Sequence, residues 1–187
     1  SAKIDINSFF KKFIRKLKDI DLDGRIREIS DYRNQKNVKL ELKGPLFDGN
    51  LKNLSLITIN LSLKDKPIYK PEQKMLFPKY RDIISFDVFI MPLKELFAEK
   101  VRALMTRDKT RDVYDIWFLL KKGADIRIKD INKKLKLYKK TYNIKKFAEK
   151  IEEKRKNWNA DLKGLIIGDL PYFDKIKQEI LEMMEKA

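Results

Sequence analysis

The stretch that most constrains this chain runs from residue 93 to residue 120, LKELFAEKVRALMTRDKTRDVYDIWFLL. At about 100° per residue, Leu93, Leu96, Phe97, Val101 and Leu104 share one face of a helix. Lys100 falls in the middle of that face, three residues after Phe97 and four before Leu104. An ammonium placed there must find an anion, reach water or lose its proton. A short basic turn follows, and then a second helix. Its Val113, Tyr114, Ile116, Trp117, Phe118, Leu119 and Leu120 cover nearly the whole circumference, which predicts burial of most of it. One narrow strip stays polar, carrying Arg111, Asp112 and Asp115, with the two carboxylates one turn apart. A lysine and two aspartates on adjacent helices make the expected site. Blander readings exist for each member: Lys100 snorkels to water, Asp112 favours the helix dipole, and Arg111 pairs with Asp115 at i,i+4.

The composition removes whole classes of chemistry. The chain has no cysteine and no histidine, so disulfides, thiol nucleophiles, imidazole catalysis and zinc sites built on those residues are excluded. A metal would need oxygen ligands, which favours magnesium or manganese. The six glycines form neither G-x-G-x-x-G nor G-x-x-x-x-G-K. A formal charge of +16 favours a polyanionic partner such as a nucleic acid, a nucleotide or an acidic protein. Lysine among carboxylates on a basic chain suits phosphoryl or nucleotidyl transfer, which needs cations on phosphates and positioning rather than covalent help.

Taken in order, Asn7 or Ser8 is expected to cap a helix over SFFKKFIRKLKDI, with Phe9, Phe10, Phe13, Ile14 and Leu17 as its apolar stripe. Residues 25–32 are expected to form a strand, with weak alternation. VKLELK alternates cleanly, and SLITINLSL places Ile57, Ile59, Leu61 and Leu63 on one side. Pro67, Pro71 and Pro78 predict a loop over 64–80. ISFDVFIM is the strand that feeds the helix pair, with Pro92 before its first helix. After Gly123, helices are expected over 129–138, 143–157 and 171–186, with Trp158 and DLKGLI packing across them. The expected fold class is α+β, with a strand-bearing part at 1–92 and a helical part at 93–187. No signal peptide or transmembrane run is visible, so a cytoplasmic location without membrane contact is expected.

From Arg127 to Lys156 there are thirteen Lys/Arg against four Asp/Glu, a net of +9. Lys133, Lys134, Lys139, Lys140, Lys145 and Lys146 interleave there with Leu135, Leu137, Tyr138, Tyr142 and Phe147. The pattern reads as an RNA-binding face, lysines on phosphates and a tyrosine on a base, or as amphipathic helices with a lysine-rich solvated side.

The helix pair resembles the signature of the AbiEii/AbiGii-type nucleotidyltransferase toxins. That pattern is hydrophobic-x-E-x-x-A-E-K-x-R-A-L, then R-x-K-x-R-D-x-Y-D-hydrophobic. It is met by Glu95, Ala98, Glu99, Lys100, Arg102, Ala103, Leu104, Arg107, Lys109, Arg111, Asp112, Tyr114 and Asp115. NWNADLKGLIIGDLPYFDKI resembles the family's tail. The family is similar to the polymerase-β-like nucleotidyltransferases. The resemblance implies a toxin of a two-gene system with an antitoxin partner, transferring a nucleotide from NTP with Mg2+ to RNA, including tRNA ends. It implies Lys100, with Arg107 and Arg111, on the nucleotide, and Asp112 and Asp115 acting jointly in the site. The family also carries a G-G-T/S turn, an R-x-S-x-D-x-D motif and a strand carboxylate. Here SAKIDI aligns to leave Lys3 in one metal position and Asp5 in another, and TINLSL places Asn60 where the third carboxylate belongs. With two of three metal carboxylates missing, the chain is expected to be either truncated or degenerate, and inactive as it stands. The alternative is a non-enzymatic module that binds RNA or an acidic antitoxin.

Overall fold

In the computed structural model, the structure describes residues 5–32, 35–44, 46–62, 66–80 and 83–186. The chain is α+β and divides into two compact units, Ser1–Lys66 and Pro67–Ala187. The division expected between residues 92 and 93, where strand-rich sequence gives way to helix-rich sequence, falls inside the second unit.

The first unit is a helix on a three-stranded antiparallel sheet. Helix α1 (Ile6–Leu17) precedes β1 (Gly24–Tyr32), β2 (Gln35–Leu42) and β3 (Ser55–Ser62), with β2 central. Asp5, rather than Asn7 or Ser8, caps α1, accepting from the N–H groups of Asn7 at 3.0 Å and Ser8 at 3.3 Å. The stripe facing the sheet is rotated from the expected one. Phe10 is buried and Ile6, Ile14 and Leu17 pack beside it, while Phe9 and Phe13 are exposed. Strand β2 alternates as read: Val38, Leu40 and Leu42 are buried, and Lys39 and Glu41 on the other face pair with Glu28 and with Arg25 and Arg27. The weak alternation of β1 has a cause. A bulge between Ile26 and Glu28 lets Ile26 face Leu40 and Ile29 face Val38, three residues apart on one side of the sheet. Leu63 lies outside the described residues.

The second unit opens with an antiparallel hairpin, β4 (Glu72–Leu76) and β5 (Phe86–Ile90). β4 lies inside the stretch expected to be a loop. All five of its residues are exposed, so it has no apolar period to read, and pairing with β5 defines it. Helices α2 (Leu93–Thr106), α3 (Arg111–Lys121), α4 (Ile128–Lys136), α5 (Ile144–Glu152), α6 (Trp158–Leu162) and α7 (Phe173–Glu185) follow. The helix expected over 143–157 is shorter and gives way to a 3-10 turn at Arg155–Asn157. Phe97, Val101, Leu104, Ile116, Ile131, Leu135, Phe147, Ile151, Leu162, Ile176 and Ile180 form one continuous core. Each such side chain contributes about 1.5–3 kcal/mol when fully buried. Trp158 is buried against Phe173 and donates its indole N–H to the Pro171 carbonyl at 3.0 Å.

Candidate active site

The turn between α2 and α3 is fixed by side chains from both ends. Arg107 leaves the helix in extended conformation. Its guanidinium returns to Asp112 with two hydrogen bonds, Nε to Oδ2 at 2.8 Å and Nη2 to Oδ1 at 2.7 Å. A planar fork meeting a planar carboxylate is the strongest form of this pair. Asp112 is wholly buried in the first turn of α3, and its carboxylate pushes the Arg107 pKa further up. Thr110 is buried just before it and donates its hydroxyl to Asp161 at 2.6 Å. The helix ends where Gly123 takes a φ of 77°, with Gly123 N–H bonded to Leu120 and Ala124 N–H to Leu119.

Lys100 donates to Asp115 Oδ2 at 2.5 Å across the two helices. Their side chains are 25% and 33% exposed. Lys100 therefore sits at the edge of the buried face of α2 rather than in its middle. That face has turned to include Glu95, Ala98 and Ala103, and Leu93 is exposed. On α3 the two aspartates differ: Asp112 is buried, and Asp115 lies at the rim. The polar strip expected on α3 is thus split, and its outward side carries aromatic residues instead. Tyr114 and Trp117 are half-buried and Phe118 is exposed.

A second lysine of this kind was not visible as such in the sequence. Lys134, expected on a phosphate-facing surface, is 2% exposed, and its ammonium donates to Glu95 Oε1 at 2.7 Å. Glu95 is fully buried and also accepts from the N–H groups of Ile68 at 2.7 Å and Tyr69 at 3.0 Å. Burial pushes the Glu95 pKa up, but Lys134 and the two backbone donors together outweigh it and hold the carboxyl below the usual glutamate value. Tyr69 extends the network by donating its hydroxyl to the buried Asp130 at 2.6 Å. Farther along α2, Glu99 pairs with Arg102, which stacks at 4.9 Å on Tyr138.

The other expected residues fall in several places. Arg111 is exposed and lines a cavity of about 240 Å³ with Lys109, Thr110, Asp161 and Leu165. Lys140 donates to the Met105 carbonyl at 2.7 Å, at the C-terminal end of α2, where a cation is favoured. Lys133 lies 3.9 Å from Asp130. Lys139, at a φ of 55°, and Lys145 and Lys146 are exposed. Asp5 and Asn60 belong to the first unit. Asp5 caps α1, and Asn60 is exposed on β3 opposite Asn37. Lys3 lies outside the described residues. Among the described residues no three acidic side chains gather where they could hold a metal ion. With Asp5 engaged as a cap and Asn60 neutral, the donor set does not fit a divalent cation.

Compared with known protein families, residues 3–179 match the family model described as nucleotidyl transferase AbiEii toxin, type IV toxin–antitoxin system. No curated protein matches the chain, and no solved structure does.

Proposed function

Because the chain belongs to the AbiEii family, nucleotidyltransferases of type IV toxin–antitoxin systems, we propose that Lys100 and Asp115 form the site where it handles an NTP for transfer to an RNA acceptor. The observation that carries this is the 2.5 Å pair itself, held on two packed helices yet open to solvent at its rim. An ammonium has three donors, so Lys100 can keep Asp115 and still meet a phosphate oxygen. Asp115 orients that ammonium and is the carboxylate an incoming hydroxyl can reach. Asp112, buried and doubly bonded to Arg107, has a positioning role: it fixes the turn that sets α3 against α2. Arg107 is thereby engaged, and Arg111 is left as the more available second cation for the nucleotide.

In the transfer, the acceptor oxygen bonds to the α-phosphorus, the bond to pyrophosphate breaks, and the hydroxyl proton leaves to a base. The family's reaction uses NTP and a divalent metal, proposed here to be magnesium. The described residues do not gather a site for it. With Asn60 in place of a strand carboxylate, transfer by this chain is proposed to be weak or absent. Among the described residues no helix is long and apolar enough to cross a membrane, and a cytoplasmic site of action beside a cognate antitoxin fits the reading.

The test is transfer of labelled nucleotide from NTP to total RNA, comparing the chain with Lys100→Ala and with an Asn60→Asp version. Asn60→Asp should raise transfer, and Lys100→Ala added to Asn60→Asp should abolish it with an unchanged circular-dichroism spectrum. Transfer retained after Lys100→Ala refutes the assignment.

A second reading, a non-enzymatic module that binds RNA or an acidic antitoxin through 127–156, is favoured by the exposed Lys133, Lys139, Lys145 and Lys146. It predicts salt-sensitive RNA binding with no transfer by any variant.

A further inference from the structure

The outward face of α3 carries a feature that nucleotide handling does not use. Three aromatic side chains lie along it at i, i+3 and i+4: Tyr114, Trp117 and Phe118. Tyr114 and Phe118 are near parallel, with ring planes 16° apart and centroids 6.4 Å apart. Tyr114 and Trp117 are 5.6 Å apart. Phe118 is 44% exposed, unlike the aliphatic side of the same helix, where Val113, Ile116 and Leu120 are buried. Cations flank the rings: Lys122 Nζ is 5.4 Å from the Phe118 centroid and Lys121 Nζ 5.8 Å from that of Trp117. Glu179 holds the strip in place, accepting from the Trp117 indole at 2.7 Å and pairing with Lys121 at 2.7 Å.

We propose that this face is a stacking platform for an unpaired base of a single-stranded RNA, which it delivers beside Asp115. The inference rests on the RNA-acceptor reading above. Charge decides the occupant. The rings are bordered by lysines in a chain of net +16, which suits a polyanion whose bases offer π-faces in any sequence. Phe118 takes the base, Tyr114 continues the stack inward, and Lys122 takes the flanking phosphate. On a helix, Asp115 lies one turn before Phe118, so a strand end stacked here lies about one turn from the Lys100–Asp115 pair.

The test is fluorescence anisotropy with a labelled oligoadenylate and its abasic counterpart, without NTP or metal. Phe118→Ala should weaken oligoadenylate binding about tenfold, the scale of one lost stacked base. Phe118→Trp should restore it, and the abasic strand should show neither effect. The loss on Phe118→Ala should persist as salt is raised, because stacking does not depend on counterion release. Equal binding of both strands, or unchanged binding by Phe118→Ala, overturns the platform. So does a concentration-dependent dimer in sedimentation that Phe118→Ala dissolves, since the face would then serve self-association. The outcomes separate from those of the nucleotide site. In the Asn60→Asp background, intact transfer after Phe118→Ala with an unchanged KM for RNA sinks the platform alone. Base-dependent binding with no transfer even by the Asn60→Asp version sinks the transfer reading alone.

Discussion

Helix α2 carries two lysine–carboxylate contacts of nearly the same length and opposite character. Glu95 meets Lys134 at 2.7 Å, with side chains 0% and 3% exposed. Five residues on, Lys100 meets Asp115 at 2.5 Å, with side chains 25% and 33% exposed. The first pair is sealed and has further donors from the Ile68 and Tyr69 backbone, so every approach to its carboxylate is taken by the protein itself. The second stands at the rim, where a ligand can compete for the ammonium. Length does not distinguish structural pairs from available ones; burial and the number of additional partners do.

The sharpest way to break this contrast is to remove one member of each pair. Glu95→Ala takes the acceptor from two backbone donors and leaves the Lys134 ammonium the weaker contact with Glu99 at 3.9 Å, and should destabilise the chain by about 2–4 kcal/mol in urea denaturation. The pair's net contribution is smaller than that. Glu95→Leu combined with Lys134→Met should recover only part of the loss, because it removes the buried ammonium but leaves the Ile68 and Tyr69 N–H groups without their acceptor. If the single variant loses less than about 1 kcal/mol, the pair is wetter than its burial implies and the contrast dissolves.

Acid should reach the buried pair next. The Glu95 carboxyl is held below its ordinary value of 4.5 in the folded chain. A depressed carboxylate contributes stability that is fully present above the unfolded value and is lost as pH falls through the folded one. Urea midpoints followed from about pH 6 to about pH 3 should therefore fall below the ordinary glutamate value. Glu95→Gln should start lower and fall less steeply. Parallel curves for the two proteins would place the acid sensitivity elsewhere, for instance at Glu152, which Arg155 and Lys177 hold at about 2.

These pairs also mark what the sequence made legible. The helix pair and the Lys100 anomaly follow from periodicity alone, because a 3.6-residue period places Lys100 near Leu96, Phe97 and Leu104 whatever the rest of the chain does. The same test would have found Lys134, which lies three residues after the buried Ile131 and one before Leu135. It was obscured by the lysines around it, which made a one-signed run look like a single solvated face. Its partner, 39 residues upstream, is a tertiary fact that no local pattern encodes. Asp112 and Asp115 were inseparable for a related reason. Both lie on one side of α3, and the azimuth of the buried face is set by what packs on it. The seven apolar and aromatic residues of α3 suggested burial all round, whereas its aliphatic side packs and the rings of Tyr114 and Phe118 border solvent. The bulge weakened the alternation of β1 without hiding the strand, whereas β4 was hidden by the lack of any buried side.

The smallest expected effect is the most informative about function. Asp115→Ala removes the acceptor of a partly solvated ammonium, which can turn to water, so the cost in stability should be under about 1 kcal/mol. The same change frees Lys100 from its fixed direction. If Asp115 orients that ammonium for phosphate, NTP affinity should fall in equilibrium binding while the urea midpoint barely moves, and Asp115→Glu should recover part of the affinity. If Asp115 instead only neutralises Lys100, removing it leaves an uncompensated cation and NTP should bind more tightly. The sign of the affinity change therefore separates an orienting carboxylate from a masking one.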